Sequence, residues 1–190
     1  MKKINILVLS VGISLLFGFL FTNCTKQPKA NFTTDKDEYL TNEIVKLTNS
    51  SVDAITYKWV LPDGQTSSST DIDYKLNTNL NDTILTFKLD AFSKKGKKTS
   101  TVIKSILVKA SGQVTIRTTN SGFPHKIYID NIYVGSITEM YYSNLGCNAN
   151  SCLTTRLKTG KHEVLVVSDS SSNITGSIWI YKGDSISVIL

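Results

Sequence analysis

Proline, methionine, histidine and cysteine are all scarce in this chain: three Pro, two Met, two His and three Cys in 190 residues. Alanine, the best helix former, is sparse as well, and within residues 30–109 no segment repeats apolar residues at i, i+3 and i+4. The composition calls for strands and turns rather than long helices. With His125 and His162 as the only histidines, no paired-histidine zinc motif can form. There is no G-x-S-x-G, no H-E-x-x-H, no glycine-rich phosphate loop and no D-x-D-x-D-G calcium loop. The reading names no catalytic residue, no metal ligand and no cofactor, and it predicts a chain that is not an enzyme. Long basic runs are also missing, which argues against nucleic acid as a partner.

What the chain does have begins with one long apolar run. Lys2 and Lys3 precede 18 residues, Ile4 to Phe21, that are almost wholly apolar. The run ends at Phe21-Thr22-Asn23 and a lone Cys24. A positive start, an apolar stretch and a terminal cysteine read as a bacterial lipoprotein signal. On this reading residues 1–23 are removed, Cys24 carries the acyl (palmitoyl) group, and residues 24–29 form a polar tether. Phe21 and Asn23 stand where a lipobox usually has Leu and a small residue, so the motif is a relaxed one. The rival reading is an uncleaved anchor, because 18 residues is the lower limit for a membrane-spanning helix. The lipoprotein reading places the protein in the cell envelope, anchored to the outer membrane by its lipid. The formal charge is +6 overall; without Lys2 and Lys3 the remainder carries 19 basic and 15 acidic residues. This mild surplus fits an ordinary solvated surface, or a basic face toward anionic lipid or glycan.

Cys147 and Cys152 are the remaining cysteines. In an exported protein they are expected to form a disulfide that closes a short loop. The rival is a zinc site with the histidines, for which the C-x4-C spacing lies at the edge of what zinc sites use and no H-x3–5-H pair is present.

Residues 30–110 alternate as strands do. Ile55, Tyr57, Trp59 and Leu61 alternate with Thr56, Lys58 and Val60; Leu85, Phe87, Leu89 and Ala91 alternate with Thr86, Lys88 and Asp90. Ile44, Val45 and Leu47 mark another strand, and Val102 to Val108 a returning one. Pro62-Asp63-Gly64 is a tight turn and Lys94 to Lys98 a charged hairpin tip. Three segments, Glu43 to Ser51, Tyr57 to Gly64 and Leu85 to Ala91, together with Ala30-Asn31-Phe32, resemble the PKD domain. That resemblance implies an immunoglobulin-like β-sandwich with Trp59 filling its core; a surface Trp stacking on sugar is the alternative. Pro62 stands where that family usually has Gly. The family's domains serve as spacers and interaction modules, so the resemblance implies no ligand.

Residues 111–190 continue with strands at Gln113 to Thr118, Lys126 to Ile129, Ile132 to Gly135, His162 to Val167, Gly176 to Tyr181 and Ser185 to Leu190. Asp130-Asn131 and Lys182-Gly183-Asp184 are turns. Val114-Thr115-Ile116, Ile127 to Asn131, Val134-Gly135 and Leu157 to Val164 resemble a PEGA-type domain, which implies a second small β-sandwich. Tyr141 to Thr155 is an insertion relative to that pattern. His162 reads as solvent-facing or as an edge residue, and His125 as a loop residue.

The fold class expected is thus all-β: two small sandwiches after a cleaved signal. The insertion is the candidate recognition surface, through Tyr141, Tyr142, Asn148 and Asn150. Tyrosine gives contact area at low entropic cost, and the Cys147/Cys152 staple gives rigidity. The rival is that both tyrosines pack in an edge strand. The function expected is a non-catalytic binding or scaffold module for an envelope protein partner; the alternative is a glycan-binding accessory for polysaccharide capture.

Overall fold

Alternation at period two needs a partner sheet to bury its apolar face, and the chain supplies two such pairs of sheets. The computed structural model describes residues 26–119, 123–142, 146–169 and 172–189. The signal segment and Cys24 lie outside these. The first eight strands are β1 (Phe32–Thr34), β2 (Glu38–Leu40), β3 (Ile44–Asn49), β4 (Thr56–Val60), β5 (Thr66–Ser67), β6 (Ile72–Lys75), β7 (Thr83–Phe92) and β8 (Thr99–Lys109). They form one sheet in the order β1-β3-β6 and a second in the order β2-β8-β7-β4-β5. All neighbours are antiparallel except β2, which runs parallel to β8. Splitting the first two strands between the sheets gives the Greek-key arrangement of an immunoglobulin-like sandwich.

Phe87, Leu89 and Ala91 face inward and are fully buried, as the alternation requires. Trp59 is also fully buried. Its ring meets Phe32 edge-on at 5.0 Å, and its Nε1–H donates to the Ser69 carbonyl at 3.0 Å. A buried indole N–H needs such a partner, so Trp59 is core and not a sugar platform. Ile55 departs from the expectation. It precedes β4 and is exposed, because its chain is already turning into the strand and no sheet covers it. The Pro62 turn closes with Leu61 N–H donating to the Gln65 carbonyl, and Gly64 takes a φ of 82°.

The second group is β9 (Ser111–Arg117), β10 (His125–Ile129), β11 (Ile132–Ile137), β12 (Cys152–Lys158), β13 (Gly160–Ser168), β14 (Ile174–Ile180) and β15 (Ser185–Ile189). Its sheets run β11-β10-β13-β14 and β12-β9-β15, with β15 parallel to β9. Val114, Ile116, Ile127, Ile129, Val164 and Val166 meet in a core of their own. The Asp130-Asn131 hairpin turn uses φ values of 50° and 65°, the left-handed pair that a tight β-turn between twisted strands demands.

Three sequence expectations are corrected here. Cys152 to Thr155 belong to β12, so the insertion is shorter than read; its polar run Thr154-Thr155-Arg156 hid the strand. His125 begins β10 and is buried, edge-on to Phe123 at 4.7 Å. His162 faces inward, with its side chain 12% exposed. Its Nδ1 lies 2.6 Å from Asp130 Oδ2 and its Nε2 3.0 Å from the Lys158 carbonyl. Asp130 also accepts the Glu163 N–H, so one carboxylate ties the β10–β11 turn to β13. The hydrogen bond from His162 holds the Asp130 carboxyl below its ordinary range.

β8 and β9 are separated only by Ala110. The junction is pinned by Lys158–Glu38 at 2.6 Å, Lys182 Nζ to Asn81 Oδ1 at 2.9 Å and Thr159 N–H to the Ala110 carbonyl at 3.0 Å. The strands also set a polarity. Gln27 donates to the Thr99 carbonyl at the start of β8, whereas Arg117 ends β9. With 11 residues in β8 and 7 in β9, roughly 60 Å of strand lies between those ends, at about 3.3 Å per residue.

Candidate functional site at the tip of the second sandwich

The end of β9 is where the insertion folds. Cys147 and Cys152 are disulfide-bonded, with Cα atoms 5.4 Å apart. Inside this short ring Asn148 acts as the hub. Its Oδ1 accepts the N–H groups of Asn150 and Ser151, each at 2.8 Å, and its carbonyl accepts the Cys152 N–H at 3.1 Å. Such side-chain-to-backbone bonds replace the ladder that a loop lacks. The loop is fastened to the strand end as well, since the Asn150 carbonyl accepts the N–H groups of Thr138 and Glu139.

Asn148 and Asn150 are exposed, yet both side chains are engaged within the loop. Their amides donate to the two oxygens of Glu139, from Asn150 Nδ2 at 2.9 Å and from Asn148 Nδ2 at 3.5 Å. Glu139 is the residue that sequence reasoning missed. The Asn-x-Asn spacing inside the cysteine pair signals an ordered turn, but nothing in the sequence says which acid it holds.

The two tyrosines part company, and neither lies in a strand. Tyr141 turns back on β9: its N–H donates to the Thr118 carbonyl at 2.9 Å, and the Arg117 guanidinium sits 4.5 Å from its ring centre. Arg117 in turn donates to Ser187 Oγ, which links β9 to β15. Tyr141 is thus part of the support. Tyr142 is the exposed one, at 54%, and its hydroxyl donates to Met140 Sδ at 3.4 Å.

Beside Tyr142 lies an open groove of about 490 Å³. Phe123, Met140 and Tyr142 give it apolar walls; Glu139, Asn148 and Ser151 give it a polar rim. Apolar walls with a few fixed polar groups suit an apolar side chain or ring whose neighbours hydrogen-bond. Among the described residues no three of His, Cys, Asp and Glu gather as metal ligands.

No family model matches the chain, and no curated protein matches it. Among solved structures it is similar to the PKD1 domain of Vibrio anguillarum Epp, at 25% identity and a TM-score of 0.37, over 44% of this chain and 95% of that one. The PKD1 domain of the Vibrio cholerae metalloprotease PrtV is similar at 21% identity and a TM-score of 0.36, over 44% of this chain and 98% of that one. A carbohydrate-binding module of the β-sandwich superfamily is similar at 19% identity and a TM-score of 0.40, over 75% of this chain and 58% of that one.

Proposed function

We propose that this chain is a non-catalytic binding module of the cell envelope, held to the outer membrane through an acyl group on Cys24, and that it presents the tip of its second sandwich to a protein partner. The observation that carries this reading is polarity. The groove beside Glu139, Met140 and Tyr142 sits at the end of β9, while Gln27, within the tether, is bonded to the far end of β8. A lipid on Cys24 would therefore leave the groove at the membrane-distal end, the position a recognition surface needs. The partner's chemistry follows from the lining: an apolar or aromatic side chain for the walls, with a donor or cation beside the Glu139 carboxylate.

Two experiments test it. Cys24→Ala is expected to release the protein from membranes; unchanged retention would refute the lipid anchor. Envelope extract passed over the immobilised protein is expected to yield a protein that binds the native chain and is lost with Tyr142→Ser and with Glu139→Gln. A protein captured equally by both variants would place recognition elsewhere. Retention of soluble polysaccharide with no protein would replace this reading by glycan capture.

A further inference from the structure

The second sandwich has one closed side and one open side, and a glycine marks each. On the closed side Gly135 of β11 lies against Leu153 of β12; a Cβ there would stand 2.7 Å from Leu153 Cδ1. The insertion seals the same side through Thr138 and Glu139. On the open side β14 and β15 are the edge strands of the two sheets. Gly176 stands in the middle of β14, with ordinary extended backbone, and a Cβ there would meet nothing within 4 Å. Nothing in its φ calls for glycine. What glycine leaves is an opening of about 190 Å³ between the sheets, lined by Val164, Val166, Ile174, Ile178 and Val188.

The edge itself is undefended. β14 pairs with β13 along its whole length, Ile174 with Val166 through Ile180 with Gly160, and among the described residues no strand pairs with its other side. Neither β14 nor β15 contains a charged residue or a proline. Protected edges usually carry lysine, proline or a bulge. Trp179 of β14 is 57% exposed and points away from the core.

We propose that β14 pairs antiparallel with β14 of a second copy of this chain, about a two-fold axis at Ser177, joining the two four-stranded sheets into one. The strand is complementary to itself in that register. Ile178 of each copy stands opposite Gly176 of the other and enters the space the glycine leaves. Trp179 lies across Thr175, an aromatic against a β-branched residue, which is a favourable cross-strand pair. Ile174 meets Ile180, and Ser177 meets Ser177. The uncharged strand meets its copy without repulsion, although the chain as a whole carries +6. Glycine within a strand commonly marks the close approach of another backbone. The pairing is independent of what the tip binds.

Cysteine cross-linking in the native membrane tests the register with the full chain. Directly opposed residues across an antiparallel pair have Cα atoms about 4.5–5.5 Å apart, within disulfide reach. Ser177→Cys is therefore expected to give an oxidised, reducible dimer. Thr175→Cys faces Trp179, and its own copy is about 13 Å away along the strand, so it is expected to give none. Equal cross-linking at both positions, or none at either, overturns the proposal. Charge provides a second arm on the purified protein. Ser177→Lys alone and Ser177→Glu alone are each expected to weaken the dimer at least about tenfold, since like charges would face each other. Mixing the two variants is expected to restore it. A native-like circular-dichroism spectrum of each variant confirms that the monomer is folded, and a mixture no better than its parts overturns the proposed axis.

Discussion

Thr41 Oγ1 and Ser111 Oγ stand 2.7 Å apart, both fully buried, where the two sandwiches meet. Thr41 follows β2 and Ser111 opens β9, so this one polar contact joins the rim of the first sandwich to the first strand of the second. The contact is reciprocal. Ser111 N–H donates to Thr41 Oγ1 at 3.1 Å, and Arg156 Nη1 reaches Ser111 Oγ at 3.3 Å.

Thr41→Val keeps the shape of that side chain and removes its oxygen. The Ser111 N–H and hydroxyl then lose a partner in a dry site. Stability is expected to fall by roughly 1–3 kcal/mol, the usual cost of an unsatisfied buried polar group. Thr41→Ser keeps the hydroxyl and is expected to recover most of the loss. Urea unfolding of the three proteins compares them directly. Equal stability of the Val variant and the native chain would show that the junction contact contributes nothing.

Tyr39 makes a separate prediction at high pH. Its ring is buried in the first core, and its hydroxyl donates to Asp35 Oδ1 at 2.6 Å. Burial first, and that hydrogen bond second, push its pKa up to about 12. The same bond holds the Asp35 carboxyl below its ordinary value. A folded-state pKa above the unfolded one stabilises most below the unfolded value, so the contribution is complete under pH 10 and is lost as pH rises toward about 12. The native chain is expected to lose roughly 2–3 kcal/mol across that window. Tyr39→Phe should flatten this part of the curve, while Asp35 keeps only backbone donors such as the Lys46 N–H. Denaturant unfolding between pH 9 and about 12, with absorbance titration of the tyrosines, measures both.

The disulfide should matter locally and little globally. Closing so short a ring removes at most about 2 kcal/mol of unfolded-state entropy. Asn148 also holds the turn by its own hydrogen bonds. Replacing Cys147 and Cys152 by Ser is therefore expected to leave both cores folded, with unfolding shifted by less than about 2 kcal/mol. Amide exchange from Asn148 to Cys152 should quicken, because the covalent closure of the loop is gone. Exchange unchanged at those amides would mean that the asparagine hub alone keeps the loop in shape.

Much of the fold was legible because period-two alternation is a local signal. Phe87, Leu89 and Ala91 announced their buried face, and Asp130-Asn131 announced its turn. β1, β2, β5 and β6 were not legible: with two to four residues each, they are too short to show a period. β12 hid because its core-facing residues are interrupted by Thr154, Thr155 and Arg156. At the tip, the disulfide pairing of Cys147 and Cys152 was legible in the sequence, and Tyr142, offered there as a recognition residue, is exposed. Glu139 and Phe123 were not legible, since each joins the groove only after residues distant in the chain come together.

By itself the amino-acid sequence determined the all-β character, the turns and the inward face of strands with unbroken alternation such as β7, because those follow from side-chain spacing along a single backbone. Only the tertiary structure decided that Tyr141 supports while Tyr142 is displayed, that His162 turns inward to Asp130, and that Gly176 opens on empty space. Those outcomes depend on which strand lies alongside, and pairing across a sheet is set by the packing of whole layers.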